Sequence, residues 1–269
     1  MSVLEVRNVW KTYDDAVVLE RVNATVKDGE FITIVGTSGC GKTTFLQMLL
    51  GIQQPSRGAI VLDGAPLAPE PNADRGIVFQ RYSVFPHLTV LQNLVVAREF
   101  ASAPLLARLF GRRYREALAE ARAMLDLIGL GAAHARFPHE LSGGMQQRLA
   151  LAQALMKRPK ILLLDEPFGA LDVGIRADMH KLILNIWQRT QVNIFMVTHD
   201  LKEGFYLGTR MWVFDKRRHD PHAPNAYGAT ITYDIPVHRG ERALLREIDR
   251  DLHRAERKGG ARALRAEAL

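Results

Sequence analysis

Phe31-Ile-Thr-Ile-Val-Gly-Thr-Ser-Gly-Cys-Gly-Lys-Thr43 decides the fold of this chain. Its first five residues are apolar or β-branched and read as a short buried strand. Gly36 to Thr43 then fits G-x-x-x-x-G-K-[ST], the Walker A loop, whose glycines let successive backbone N–H groups wrap a phosphate chain. Thr44 to Leu50 reads as a helix that Gly51 ends. Strand, glycine loop and helix in that order are the context such a loop requires. Lys42 brings a point charge to the outer phosphates, and Thr43 offers a hydroxyl to Mg²⁺. Cys40 reads first as a small residue tolerated in a tight loop; the alternative is a thiol whose pKa the helix N-terminus lowers.

Two further strands end in polar groups. Ile161-Leu-Leu-Leu-Asp-Glu-Pro167 is a central parallel strand with Asp165 at its carboxyl end, where ligands of open α/β sheets bind. Asp165 is placed to hold Mg²⁺ through water, and Glu166 to orient or deprotonate an attacking water. Asn193-Ile-Phe-Met-Val-Thr-His199 repeats the pattern, with His199 at the strand's end. A helix between the two makes a βαβ unit.

Leu141-Ser-Gly-Gly-Met-Gln-Gln-Arg148 reads as a helix start built for an anion. Ser142 caps it, Gly143 and Gly144 let backbone N–H groups come close, and Met145 to Leu155 continues as helix.

Composition sets the bounds. The chain has 269 residues, enough for one large core with a subdomain. Lys+Arg 36 against Asp+Glu 29 gives +7, which fits a polyanionic ligand, anionic lipid or nucleic acid. Arg98, Arg108, Arg112, Arg113, Arg115 and Arg122 crowd one stretch that reads as a solvated face. A single cysteine excludes an internal disulfide and fits a reducing cytosol. Met1 to Asp15 is too charged for a signal peptide, and no apolar run approaches a membrane span of about 18 residues.

In this order, with Gln80 after Gly76-Ile-Val-Phe79 and with Ala170-Leu171-Asp172 before His199, the motifs resemble those of ABC transporter ATP-binding subunits. The similarity spans roughly residues 3–215 and lies nearest to bacterial importer ATPases for nitrate, sulfonates and taurine. The resemblance implies an α/β P-loop NTPase core with a parallel sheet, an N-terminal antiparallel β subdomain and a helical subdomain at about 81–158. The ATPase domain is expected over 1–238 and a charged helical tail over 239–269. Gly36, Thr37, Ser38, Gly39, Cys40, Gly41, Lys42, Thr43 and Thr44 would hold ATP, with Tyr13 stacked on adenine. Thr43, Gln80 and Asp165 would hold Mg²⁺; Glu166, His199 and Gln80 would be catalytic. Two composite sites are implied between two subunits, each joining Lys42 and Asp165 of one chain to Ser142, Gly143, Gly144 and Gln146 of the other, with Asp172 at the interface.

The implied partners are membrane permease subunits, a second copy or sister ATPase, and a solute-binding protein, with no nucleic acid. The implied place is the cytoplasmic face of the membrane. The alternative is a soluble ABC ATPase acting on nucleic acid or ribosomes, which the basic charge keeps open. Arg81 to Leu94 exposes Tyr82, Val84 and Phe85, with Pro86 turning the chain and Thr89 capping the next helix. It fits a docking face for a permease helix or a small core of the helical subdomain. Two departures stand out: the arginine-rich 95–122, and a loop-like insert at Lys216–Asn225 before a strand at Ala229–Ile235.

Overall fold

The computed structural model describes residues 4–79, 84–102, 108–218, 220, 222–223 and 225–237. It forms two compact units, residues 1–69 with 197–269, and residues 70–196. The expected tail at 239–269 and Gln80 lie outside the described residues.

In the first unit, β1 (Leu4–Tyr13) and β2 (Ala16–Val26) pair antiparallel, and β1 also pairs with β4 (Arg57–Leu62). With β5 (Ala65–Pro66) they give the sheet order β2-β1-β4-β5, the expected antiparallel subdomain. β3 (Phe31–Gly36) lies parallel to β9 (Arg210–Asp215), which pairs antiparallel with β10 (Thr230–Pro236). Residues Phe31 to Val35 are almost wholly buried, as a β-branched central strand should be. The P-loop leads into α1 (Lys42–Leu50). Gly51 stops it in a left-handed conformation, and its N–H bonds the Gln47 and Met48 carbonyls at 3.0 and 3.1 Å. Phe45 of α1 packs edge-on against Trp212 and at a tilt against Phe214, tying the helix to β9. α6 (Leu201–Leu207) approaches β3 closely because Gly204 and Gly208 carry no side chain, and Thr33 Oγ1 donates to the Gly204 carbonyl at 3.2 Å.

A fork of hydrogen bonds locks this unit's far edge. Arg210 holds both oxygens of Asp234 at 2.5 Å and reaches the Thr25 carbonyl and Glu30. Its bonds to Asp234 raise its pKa further, against the opposing effect of burial.

The second unit holds parallel β6 (Arg75–Val78) and β7 (Ile161–Asp165), with β8 (Asn193–Val197) at its end. Its helices are α2 (Val90–Ser102), α3 (Gly111–Leu127), α4 (Gly143–Met156) and α5 (Val173–Thr190). α4 is buried on nearly every side, which explains why its sequence lacks an amphipathic stripe. Leu149, Ala152 and Met156 of α4 join Val90 and Leu94 of α2 and Ala121 and Leu125 of α3 in one core. On α3 only Ala117, Ala121 and Leu125 are buried, one row at helical spacing. Arg112, Arg113, Arg115 and Arg122 therefore face solvent, as the charge pattern predicts; Arg98 departs from it, half-buried and 3.1 Å from Glu120. Thr89 starts α2 with a reciprocal cap: its Oγ1 accepts from Gln92 N–H at 3.3 Å, and Gln92 Oε1 accepts from Thr89 N–H at 2.8 Å.

The Val84–Phe85 stretch corrects one expectation. Both residues are half-buried, and Val84 packs on the α2–α4 core. Phe85 sits at a tilt to Phe100, its ring centroid 6.3 Å away. The small-core reading holds for Val84; Tyr82 lies outside the described residues. Among those residues, no helix is long and apolar enough to cross a membrane.

Candidate functional site

The phosphate loop shows why its glycines are needed. Gly36, Gly39 and Gly41 all have positive φ (152°, 76° and 88°). A Cβ on Gly36 would lie 2.2 Å from the Phe214 carbonyl oxygen, so only glycine fits between β3 and β9 there. Gly41 is the N-cap of α1, and no side chain caps that helix. Its first N–H groups and the positive end of its dipole therefore face the loop. Lys42 is buried, and its Nζ donates to the Gly36 and Thr37 carbonyls at 2.8 Å each. Both acceptors are neutral oxygens, so an anion would be the stronger partner for this ammonium. Thr43 is exposed and Thr44 half-buried.

Of the two readings of Cys40, the small residue in a tight loop is the one that fits. Its side chain is buried, and burial raises the thiol pKa more than Lys42, 3.8 Å away, lowers it. Desolvation disfavours the thiolate, so the helix N-terminus does not activate this cysteine.

The strand end at Thr198 and His199 belongs to the same unit as the loop. Thr198 N–H donates to the Ile34 carbonyl at 3.1 Å, which fixes the chain beside β3. Its hydroxyl donates to Glu203 at 2.5 Å, and Asp200 caps α6 by accepting from the Lys202 and Glu203 N–H groups. His199 between them is exposed. Tyr13, at the end of β1, is 40% exposed, and the Lys11 ammonium lies 4.8 Å from its ring centroid.

The second unit carries the carboxylates and the glycine-rich helix start. Asp165 and Glu166 follow the four buried residues of β7 and are half-buried. Glu166 has a φ of 46°, a left-handed conformation that costs a side-chain-bearing residue about 1 kcal/mol or more. Turns closed by Gly169 N–H to Glu166 O and Leu171 N–H to Phe168 O carry the chain to Asp172. Asp172 is exposed at the N-cap of α5, and its carboxylate makes no capping bond.

Ser142 caps α4 through a long 3.4 Å bond from Met145 N–H, and both Ser142 and Gly143 are exposed. Gly144 is buried: a Cβ there would lie 2.5 Å from Ile175 Cγ2. Its role in this unit is to let α4 meet α5 three residues past Asp172. Gln146 spends its amide N–H groups on the Pro138 and Leu141 carbonyls, holding the turn that precedes Ser142. That use leaves only its oxygen for a ligand.

Sequence reasoning missed Asn93. This fully buried residue donates to the Phe85, Leu88 and Thr89 carbonyls and accepts from Phe85 N–H at 2.8 Å. One side chain thus pins the turn that follows Gln80. The only signal was an asparagine on the inward row of α2.

The chain matches the family model described as ABC transporter over residues 19–169. It is 41% identical over 220 residues to the nitrate import ATP-binding protein NrtD of Synechocystis sp., covering 82% of this chain and 77% of that one. It is equally 41% identical over 199 residues to the taurine import ATP-binding protein TauB of Rhizobium johnstonii, covering 74% of this chain and 72% of that one. Among solved structures, a dimeric post-hydrolysis state of the ATP-binding cassette MJ0796 bound to ADP and Pi superposes with a TM-score of 0.69. That cassette is 26% identical, and the match covers 87% of this chain and 99% of the other.

Proposed function

Since the chain belongs to the ABC transporter family and is an ATPase of that family coupled to transport, we propose that it powers solute import through a separate membrane permease, working as a dimer. The observation that carries this reading is the uncapped start of α1 behind three positive-φ glycines. Lys42 exchanges the Gly36 and Thr37 carbonyls for the outer phosphates. Tyr13 stacks on adenine with the ring face away from Lys11. Glu166 accepts the proton of the attacking water, and exposed His199 donates to the γ-phosphate. Ser142 and Gly143 present N–H and hydroxyl groups to the ATP of the second copy, and Asp172 lies at that interface.

Thr43, Gln80 and Asp165 supply a hydroxyl, an amide oxygen and a carboxylate. Mg²⁺ favours such hard oxygen donors in small number, completed by phosphate and water. Bound there, the ion would neutralise charge on the phosphates. The carboxylate end of β7 is half-buried, which suits an ion reached from one side.

The permease partner would hold the chain on the inner face of the membrane. A solute-binding protein would belong to the same system. NrtD and TauB are equally similar to this chain, and we propose a small nitrate-, sulfonate- or taurine-like or nitrogen-containing solute.

The test is Glu166→Gln. It should bind ATP, elute as a dimer in ATP, and hydrolyse about a hundredfold more slowly or worse. Wild-type turnover in that variant would remove Glu166 from its role. Uptake of labelled nitrate and taurine by cells with and without the gene tests the solute.

A further inference from the structure

The insert between β9 and β10 is tied to β2, and β2 presses on the phosphate loop. Asn225 O accepts from Val17 N–H, Ala229 O from Glu20 N–H, and Ala229 N–H donates to Val18 O, each at 2.9 Å. Residues 225–229 thereby cover the outer edge of the β2-β1-β4-β5 sheet. Gly228 comes so close that a Cβ on it would lie 2.7 Å from the Leu19 carbonyl carbon. Glu20, only 7% exposed, closes the latch: its carboxylate takes the Arg218 guanidinium on one oxygen and the Gly228 N–H on the other. The Arg218 guanidinium also lies 4.2 Å from the Tyr227 ring centroid, which holds it in place.

The other side of β2 meets the nucleotide loop. A Cβ on Gly41 would lie 2.8 Å from Leu19 Cδ2 and 3.0 Å from Val18 Cγ1. Leu19 is fully buried between the insert and the residue that opens α1. The arginines around the neighbouring cleft of about 350 Å³ are committed inside the chain. Arg21 lies over Trp10, Arg217 donates to the Thr232 carbonyl, and Arg218 holds Glu20. The latch is therefore the part of this region with a line to the chemistry.

We propose that Glu20 and Arg218 are positioning residues for nucleotide, clamping β2 so that Val18 and Leu19 keep Gly41 and the start of α1 in the phosphate-binding conformation. The proposal rests on the reading of the chain as an ATPase. Breaking the latch lets β2 relax and adds an ordering cost to ATP binding, and it leaves the reacting groups untouched.

The experiment is steady-state ATP hydrolysis by the full chain carrying Arg218→Ala, Arg218→Lys or Glu20→Gln, beside wild type. Arg218 is half exposed, so its replacement spares the core. The Arg218→Ala variant should raise KM for ATP about tenfold, with kcat at saturating ATP within about twofold of wild type. Arg218→Lys, which keeps the charge, should recover much of the KM. Together, Arg218→Ala and Glu20→Gln should cost no more than the worse single change. A wild-type KM in Arg218→Ala, or a kcat that falls in step with melting temperature, overturns the latch. Should the wild-type chain itself fail to hydrolyse ATP, the ATPase reading falls and the latch with it.

Discussion

The two helix starts that the sequence marks for phosphate, at α1 and at α4, use glycine for different reasons. In the loop before α1, Gly36, Gly39 and Gly41 have positive φ, and the chain needs their freedom to turn. At α4, Gly143 and Gly144 lie within the helix itself, and Gly144 is needed because Ile175 fills the space of a side chain. α1 has no side-chain cap, whereas Ser142 caps α4. The loop before α1 needs glycine both for its own turns and, at Gly36 and Gly41, for neighbours that press on it; α4 needs Gly144 for a neighbouring helix alone. A motif read as one device is thus two, and each fails differently.

The largest effect is expected at the loop. Gly36→Ala drives a Cβ into the Phe214 carbonyl, a backbone atom that cannot step aside, and should cost about 3 kcal/mol or more. Gly39→Ala meets nothing within 4 Å and carries only the penalty of its φ, about 1 kcal/mol. Chemical denaturation of the pair separates crowding from backbone strain. Equal losses would show that crowding at Gly36 is relieved by movement of β9.

At α4, Gly144→Ala should cost about 1–3 kcal/mol, and adding Ile175→Ala should return much of it, since the clash is with a side chain. Absence of rescue would mean that Gly144 serves the ligand rather than the packing.

A smaller stability change is expected from Ser142→Ala, because its capping bond is long: about 0.5 kcal/mol by thermal melting. Hydrolysis should nevertheless fall about tenfold or more if Ser142 reaches the second copy's ATP. Unchanged turnover would reduce Ser142 to a cap.

The smallest effect concerns Cys40. Its raised pKa leaves the thiolate scarcer than in free cysteine at pH 8, so maleimide labelling should be slower than for the free amino acid. Its folded value lies above its unfolded one. The linked stability is therefore full below the ordinary thiol range and is lost as pH rises from there through the raised folded value. Labelling as fast as free cysteine would show that the loop opens readily, since the thiol is buried.

Much of this was legible in the chain because it is local. Phe31 to Val35 is a strand by composition, Gly51 stops a helix by its left-handed bonds, and Thr89 with Gln92 forms a cap within a few residues. His199 likewise follows the carboxyl end of a strand, as its apolar run predicts. The reading erred where the answer lay in packing. Phe85 is an apolar residue after a loop in the sequence, but buried Asn93 holds its backbone and the residue is half-buried. At Cys40 the sequence left two readings open, and burial, which outweighs Lys42, decides between them.

By itself, the sequence determined where the glycine-rich loop lies, where helices begin and end, and which strands are buried. These depend on allowed φ, on charge and on hydrophobic period over a few neighbouring residues. Only the tertiary structure decided that Gly144 is a packing glycine, that Gln146 holds a turn, and that the insert reaches Gly41 through Leu19. Each depends on close contact between residues far apart in the chain, and no local pattern records which atoms will fill the space beside a missing Cβ.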